Sequence, residues 1–217
     1  MLFSNATVAQ LIASVVGLLI AFTFHEACHA LIAYRLGDAT AKRMGRLSLN
    51  PLAHLDPLGT LMILVSGFGW GKPVPVNPYN LRRPGGRLGM GLVAAAGPVS
   101  NLLAAYIFAA PLRAGLFSTS LVSRNLFIPS AGQVLLSIVM LNVFLAVFNL
   151  LPIAPLDGFK VALGLLPPRL AYTWAQTERY GPLILLFLIL FGRLGRLDLL
   201  GVTLYPLANA ILRLILS

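Results

Sequence analysis

From Thr7 to Tyr34 the chain is almost continuously apolar, and it interrupts that run with His25, Glu26 and His29. Residues 1–24 carry no charged side chain. A helix needs about 20 apolar residues to cross a bilayer, so a run of this length belongs in lipid or in a very large core. The second option fails on composition. Only 10% of the 217 residues are charged and 58% are hydrophobic, whereas an average soluble domain is roughly 25% charged. Further apolar stretches run from Leu88 to Leu112 and from Val134 to Leu151, with shorter or more broken ones from Pro182 to Phe191 and Leu197 to Leu216. The expected fold is an all-α membrane protein. It is a polytopic bundle of four to six transmembrane segments, with broken helices and a short β or re-entrant region between the first two main spans. A single domain covers 1–217: a helix over 7–36, a loop region over 38–87, core spans over 88–166 and C-terminal spans over 171–217.

The net charge of +10 is not a nucleic-acid signature, because the basic residues are spread along the loops with no aromatic-interleaved stripe. Their distribution gives topology instead. Arg35, Lys42, Arg43, Arg46, Lys72, Arg82, Arg83 and Arg87 cluster around the first connection, whereas the next holds only Arg113 and Arg124. The positive-inside bias makes 36–87 cytoplasmic and 113–130 the far side. Lys160, Arg169 and Arg179 return to the cytoplasmic face. The N-terminus lacks a basic n-region, so the first segment reads as a retained helix. A single Cys implies no intramolecular disulfide and no oxidising compartment. A multi-pass protein of a prokaryotic plasma membrane is the expected setting.

The polar interruption has the spacing His-Glu-x-x-His. Residues four apart on a helix lie about 40° apart around its axis, so both imidazoles share a face. That suits two ligands of one zinc ion, with the Glu between them placed to take a proton from a metal-bound water. Glu26 lies about 14 Å along the axis from Arg35, which puts the motif in the cytoplasmic half, below the surface and short of the midplane. Ionisable groups at that depth are costly without a role.

Residues 38–87 are rich in Pro and Gly. The alternation Arg46-Leu47-Ser48-Leu49 reads as a short strand. Leu58 to Trp70 is apolar but about 13 residues long, a partial helix or a re-entrant piece. Such backbone is tolerated at membrane depth only under protein or water, as a water-accessible cavity on the cytoplasmic side would provide. Lys72 to Asn80, with its regular prolines, is either an extended edge that pairs with an unwound substrate strand or a surface loop.

A catalytic zinc usually has three protein ligands and one open position. Ile32 and Arg35 stand where a His-x-x-Gly-x-x-His extension would need Gly and His, and no Glu follows Glu26 before Glu178. Asp38 lies too far along the axis, and Asp56 before Pro57 reads as a turn former. Glu178 and Asp198 neighbour Arg179 and Arg196, a surface-pairing pattern. His54 and Cys28 are also candidates, but Asp157 alone sits in an apolar segment broken by Pro152 and Pro155 on the motif side of the membrane.

Three ordered motifs now stand together: His25-Glu26-x-x-His29, Ala96-Gly97-Pro98-x-x-Asn101, and Asn149-x-x-Pro152-x-x-x-x-Asp157-Gly158. Together they resemble the site-2 protease family of intramembrane metalloproteases, in its compact prokaryotic branch without a PDZ domain. The resemblance implies one Zn2+ per chain bound by His25, His29 and Asp157, with Glu26 activating water. It also implies a zinc facing the cytoplasm, transmembrane protein substrates within the lipid bilayer, and regulated proteolysis with separate regulatory or adaptor proteins.

Several residues keep two readings. His54 is either a loop histidine near the zinc that acts on substrate or transition state, or an interfacial one bonded to Asp56 or backbone. Asn149 bonds substrate backbone or caps its broken helix. Asn101 reads as a bond to a neighbouring helix, and Cys28 as a packing residue near the ligand face. Two rival functions make distinct demands. A metal-permeation protein would tolerate loss of Glu26, and a structural zinc would need a fourth ligand from His54 or Cys28.

Overall fold

The structure is a computed structural model that describes residues 6–59, 62, 71–118, 125–193 and 199–217. Helix α1 spans Val8–Arg35 and opens on a capping box, in which the Thr7 hydroxyl accepts from the Gln10 N–H at 3.2 Å and the Gln10 side chain accepts from the Thr7 N–H at 2.9 Å. It ends as Gly37-Asp38 foreshadows. Gly37 takes φ 111°, and the Gly37 and Asp38 amides donate back to the carbonyls of Tyr34 and Ala33. A single turn of helix, α2 (Thr40–Arg43), follows. Two 3-10 turns, Pro51–Ala53 and Pro78–Asn80, each open on an Asn-Pro pair. Then come α3 (Gly86–Arg113), α4 (Ala131–Asn149), α5 (Asp157–Leu165), α6 (Pro168–Ala175), α7 (Gly181–Arg193) and α8 (Leu199–Leu216).

Among the described residues, α1, α3 and α4 are long and apolar enough to cross a membrane, and Gly201–Leu216 is a shorter apolar helix. The chain is thus an all-helical membrane protein. The three long helices pack on one another, α5 lies against α3, and α8 lies against α4 and α3. Lipid offers no hydrophobic drive to such packing, so small residues and close backbone approach supply it. A methyl on Gly17 would stand 3.0 Å from Leu141 Cδ1 and from the Ser137 backbone, and one on Gly91 would stand 3.2 Å from Gly164 Cα. Further along, Ala105, Ala109 and Leu112 of α3, Val139, Val143 and Val147 of α4 and Leu204 and Ala208 of α8 belong to the larger apolar cluster found among the described residues.

The 36–85 connection joins the C-terminal end of α1 to the N-terminal end of α3, and the Arg82 amide donates to the Leu36 carbonyl at 2.8 Å. At the opposite end, the Ala9 amide donates to Leu126 O at 2.9 Å. The expected strand at Arg46–Leu49 does not form. Arg46 is buried and its guanidinium donates to the Ala53 carbonyl, which curls the chain into bends. The described β pairing is one bridge, Leu55 to Gly71. Most of Leu58–Trp70 lies outside the described residues. Asp38, fully buried, is a structural acid. It accepts from the Thr40 amide and hydroxyl, the Asn77 amide at 2.7 Å and the Asn80 side chain at 3.0 Å. Burial alone raises a carboxyl's pKa, but these donors outweigh it and hold Asp38 below the usual range.

Candidate metal centre

His25 and His29 lie one turn apart on the buried face of α1, with Glu26 between them. Asp157 comes from the first position of α5. Pro152 and Pro155 keep α4 from continuing, so residues 150–156 form a tight loop. Gly158 lets that loop fold back, since a methyl there would stand 2.2 Å from the Leu150 carbonyl oxygen. The loop thereby delivers Asp157 Oδ2 to 3.0 Å from His25 Nε2 and 3.2 Å from His29 Nε2. The two Nε2 atoms are themselves 3.0 Å apart.

The other ring nitrogens decide which atoms face this point. His29 Nδ1 lies 2.7 Å from the Val93 carbonyl of α3, which can only accept, so Nδ1 carries a proton and, in the neutral ring that binds metal, Nε2 a lone pair. His25 Nδ1 lies 2.7 Å from Asn101 Oδ1. The Asn101 amide nitrogen donates to the Ala21 carbonyl and to Asn142 Oδ1, both at 2.8 Å, so its oxygen is the atom turned to His25. His25 is therefore also the Nδ1–H tautomer. Two imidazole lone pairs and a carboxylate oxygen converge, and Asp157 Oδ2 is buried with no hydrogen-bond donor. Three acceptors at this range repel unless a cation sits among them. Donors about 2.0–2.1 Å from a tetrahedral zinc stand about 3.3 Å apart, close to the spacing found here. The donor set fits the metal.

Gly97 makes the space. A methyl there would lie 2.5 Å from both His25 Cε1 and His29 Nε2. Glu26 is buried beside them, 8% exposed. Among the described residues His25, His29 and Asp157 form the metal-capable group, and neither His54 nor Cys28 joins it as a fourth ligand. His54 is fully buried beneath its loop, with Nε2 on the Ser48 carbonyl at 2.8 Å. Its Nδ1 is buried and has no hydrogen-bond partner among the described residues. The Asn149 amide nitrogen is engaged by Leu145 O of its own helix at 3.0 Å. Asp56 accepts from the Gly59 amide, as a turn former does. Neither Gly97 as the cradle, nor Val93 as the His29 acceptor, nor Asn142 follows from the motif spacing. Asn142 leaves a trace, a lone amide in the middle of an apolar run. A backbone carbonyl leaves none.

This donor set is that of a metal-dependent hydrolase. Known proteins agree. The chain is 42% identical over 197 residues to YwhC of Bacillus subtilis (strain 168), provisionally named a zinc metalloprotease, and the match takes in 90% of this chain and 85% of YwhC. Rip2 of Mycolicibacterium smegmatis carries the same provisional name and is 29% identical over 197 residues, 84% of this chain and 68% of Rip2. Rip2 of Mycobacterium tuberculosis (strain H37Rv) is 30% identical over 190 residues, 81% of this chain and 66% of that protein. The chain belongs to the zinc metalloprotease family of YwhC. No family model and no solved structure matches it.

Proposed function

We propose that this chain is an intramembrane zinc protease of the site-2 type, which cuts peptide bonds within or beside the transmembrane helices of other membrane proteins. The observation that carries this reading is the convergence of His25 Nε2, His29 Nε2 and Asp157 Oδ2, three acceptors within 3.2 Å of one another, on helices long and apolar enough to span a bilayer. The three residues would hold the zinc. When bound, the ion supplies a Lewis acid that polarises the scissile carbonyl and lowers the pKa of water at the open position. Glu26 accepts a proton from the attacking water as the new C–O bond forms. It returns that proton to the nitrogen as the C–N bond breaks, which leaves one carboxyl and one amine end. The wealth of basic residues around the Leu36 end supports a cytoplasmic orientation for the site.

An intact substrate helix hides its carbonyl carbons, so the substrate must unwind and needs a partner for its freed backbone. Residues 72–77 suit that role. Gly71 packs on Phe22, where an added methyl would meet the ring at 1.8 Å, and the Asn77 amide reaches Asp38. The segment therefore runs beside α1 past the level of His25 and His29, covering about 20 Å with six nearly extended residues. Pro73 and Pro75 bring no donor. The amides of Val74 and Val76, which an extended chain points to one side, make no bond to any described residue. Regulatory or adaptor proteins would select the substrates.

The test is cleavage of a single-span protein co-reconstituted with the zinc-loaded chain, with products mapped by mass spectrometry. A cut inside the apolar segment is expected. Cleavage confined to the soluble flanks, or none with zinc bound, would overturn the reading.

A further inference from the structure

The two candidate histidine ligands are held in their tautomers by different means. The Val93 carbonyl that meets His29 cannot act as a donor in any orientation. The Asn101 amide that meets His25 has an oxygen and a nitrogen at nearly the same positions, and a half-turn would exchange them. A flipped Asn101 would present N–H to His25 Nδ1, the ring would move its proton to Nε2, and the lone pair facing the metal would be lost. Something must forbid the flip. The Ala21 carbonyl is one such guard, at 2.8 Å from Asn101 Nδ2. Asn142 of α4 is the other, with Oδ1 also at 2.8 Å.

Asn142 is itself fixed. It is fully buried in the middle of an apolar helix long enough to span a membrane, where an unsatisfied amide is costly. Its Nδ2 donates to the Ile138 carbonyl at 2.8 Å, one turn back on the same helix. That carbonyl accepts only, so Asn142 must turn its oxygen to Asn101. From Ile138 to His25 each group sets the next: carbonyl, amide, amide, imidazole. We infer that Asn142 is a positioning residue for the metal centre: it holds Asn101 in the one orientation that leaves His25 Nε2 bare for zinc. This rests on the reading of His25 as a zinc ligand. The alternative is that Asn142 only glues α4 to α3, as polar residues do between membrane helices.

The test uses the zinc-loaded full chain in detergent, with 15N-labelled histidine. The chain holds three histidines, so their ring nitrogen signals are assignable, and they distinguish the Nδ1–H from the Nε2–H tautomer. In the wild type His25 is expected wholly as Nδ1–H. In Asn142→Leu a second His25 population, protonated at Nε2, is expected, and zinc affinity falls about tenfold, the lower end for loss of a ligand's supporting group. Should the leucine disturb α4, Asn142→Ser serves. Its hydroxyl still bonds the Ile138 carbonyl but is too short to reach Asn101. A folded variant with a single His25 tautomer and wild-type zinc affinity would overturn the inference and leave the zinc site standing. Absence of zinc binding by the wild type would instead overturn the reading on which it rests.

Discussion

Glu26→Gln keeps its zinc and loses peptide hydrolysis. Glutamine has the size and shape of glutamate, so the turn of α1 that carries His25 and His29 is undisturbed and the three candidate ligands stay where they are. The amide cannot take up a proton at neutral pH. General-base catalysis contributes about 10²–10⁴ in rate, and Glu26 serves twice, towards the water and towards the leaving amine. A fall of at least about 10³ in the cleavage rate is therefore expected, with wild-type zinc content. Single-turnover cleavage of a reconstituted transmembrane substrate, with zinc measured on the same sample, checks both halves. A variant that cuts at the wild-type rate would remove Glu26 from the mechanism.

Gly97→Ala is the second large effect, and it separates function from stability. Alanine is the better residue inside a helix by about 1 kcal/mol, so α3 itself gains from the change. The added methyl, however, would stand 2.5 Å from His25 Cε1 and from His29 Nε2. Neither ring can yield freely, because one is tied at 2.7 Å to Asn101 and the other at 2.7 Å to the Val93 carbonyl. The methyl also fills space on the metal side of the His29 ring. We expect zinc affinity to fall by about 100-fold or more, the upper end of what disturbing a ligand's support costs. Thermal unfolding of the zinc-free protein should fall only modestly, because the helix gain of about 1 kcal/mol offsets part of an overpacking cost of about 1–3 kcal/mol. Chelator competition for zinc and a melting curve decide it. Wild-type zinc affinity would mean that the rings re-seat at no cost and that Gly97 is no cradle.

The parts legible in the sequence are those set by local chemistry. The spans follow from apolar runs, and the end of α1 follows from Gly37. The pairing of His25 with His29 follows from a spacing of four on a helix. Asp157 is far from them along the chain, yet it stands out because an acid after two prolines in an apolar segment has few other reasons to be there. The structure shows what such reasoning cannot reach. Arg46–Leu49 alternates like a strand but bends, because the buried Arg46 finds its acceptor at Ala53. His54 sits in a conspicuous motif, yet its Nε2 bonds the backbone at Ser48. Asn101 proves to be more than an interhelical bond. Its contact with His25 crosses between α1 and α3, and its own orientation is set from α4, a relation no local pattern encodes.

The most direct measurement is zinc per chain in detergent-purified protein, wild type beside Asp157→Ala. Removing the carboxylate leaves two imidazoles, one short of the three protein ligands a catalytic zinc takes. About one zinc per wild-type chain and a clear loss in the variant is the expected result. Equal zinc in both, or none in either, would contradict a centre built from His25, His29 and Asp157.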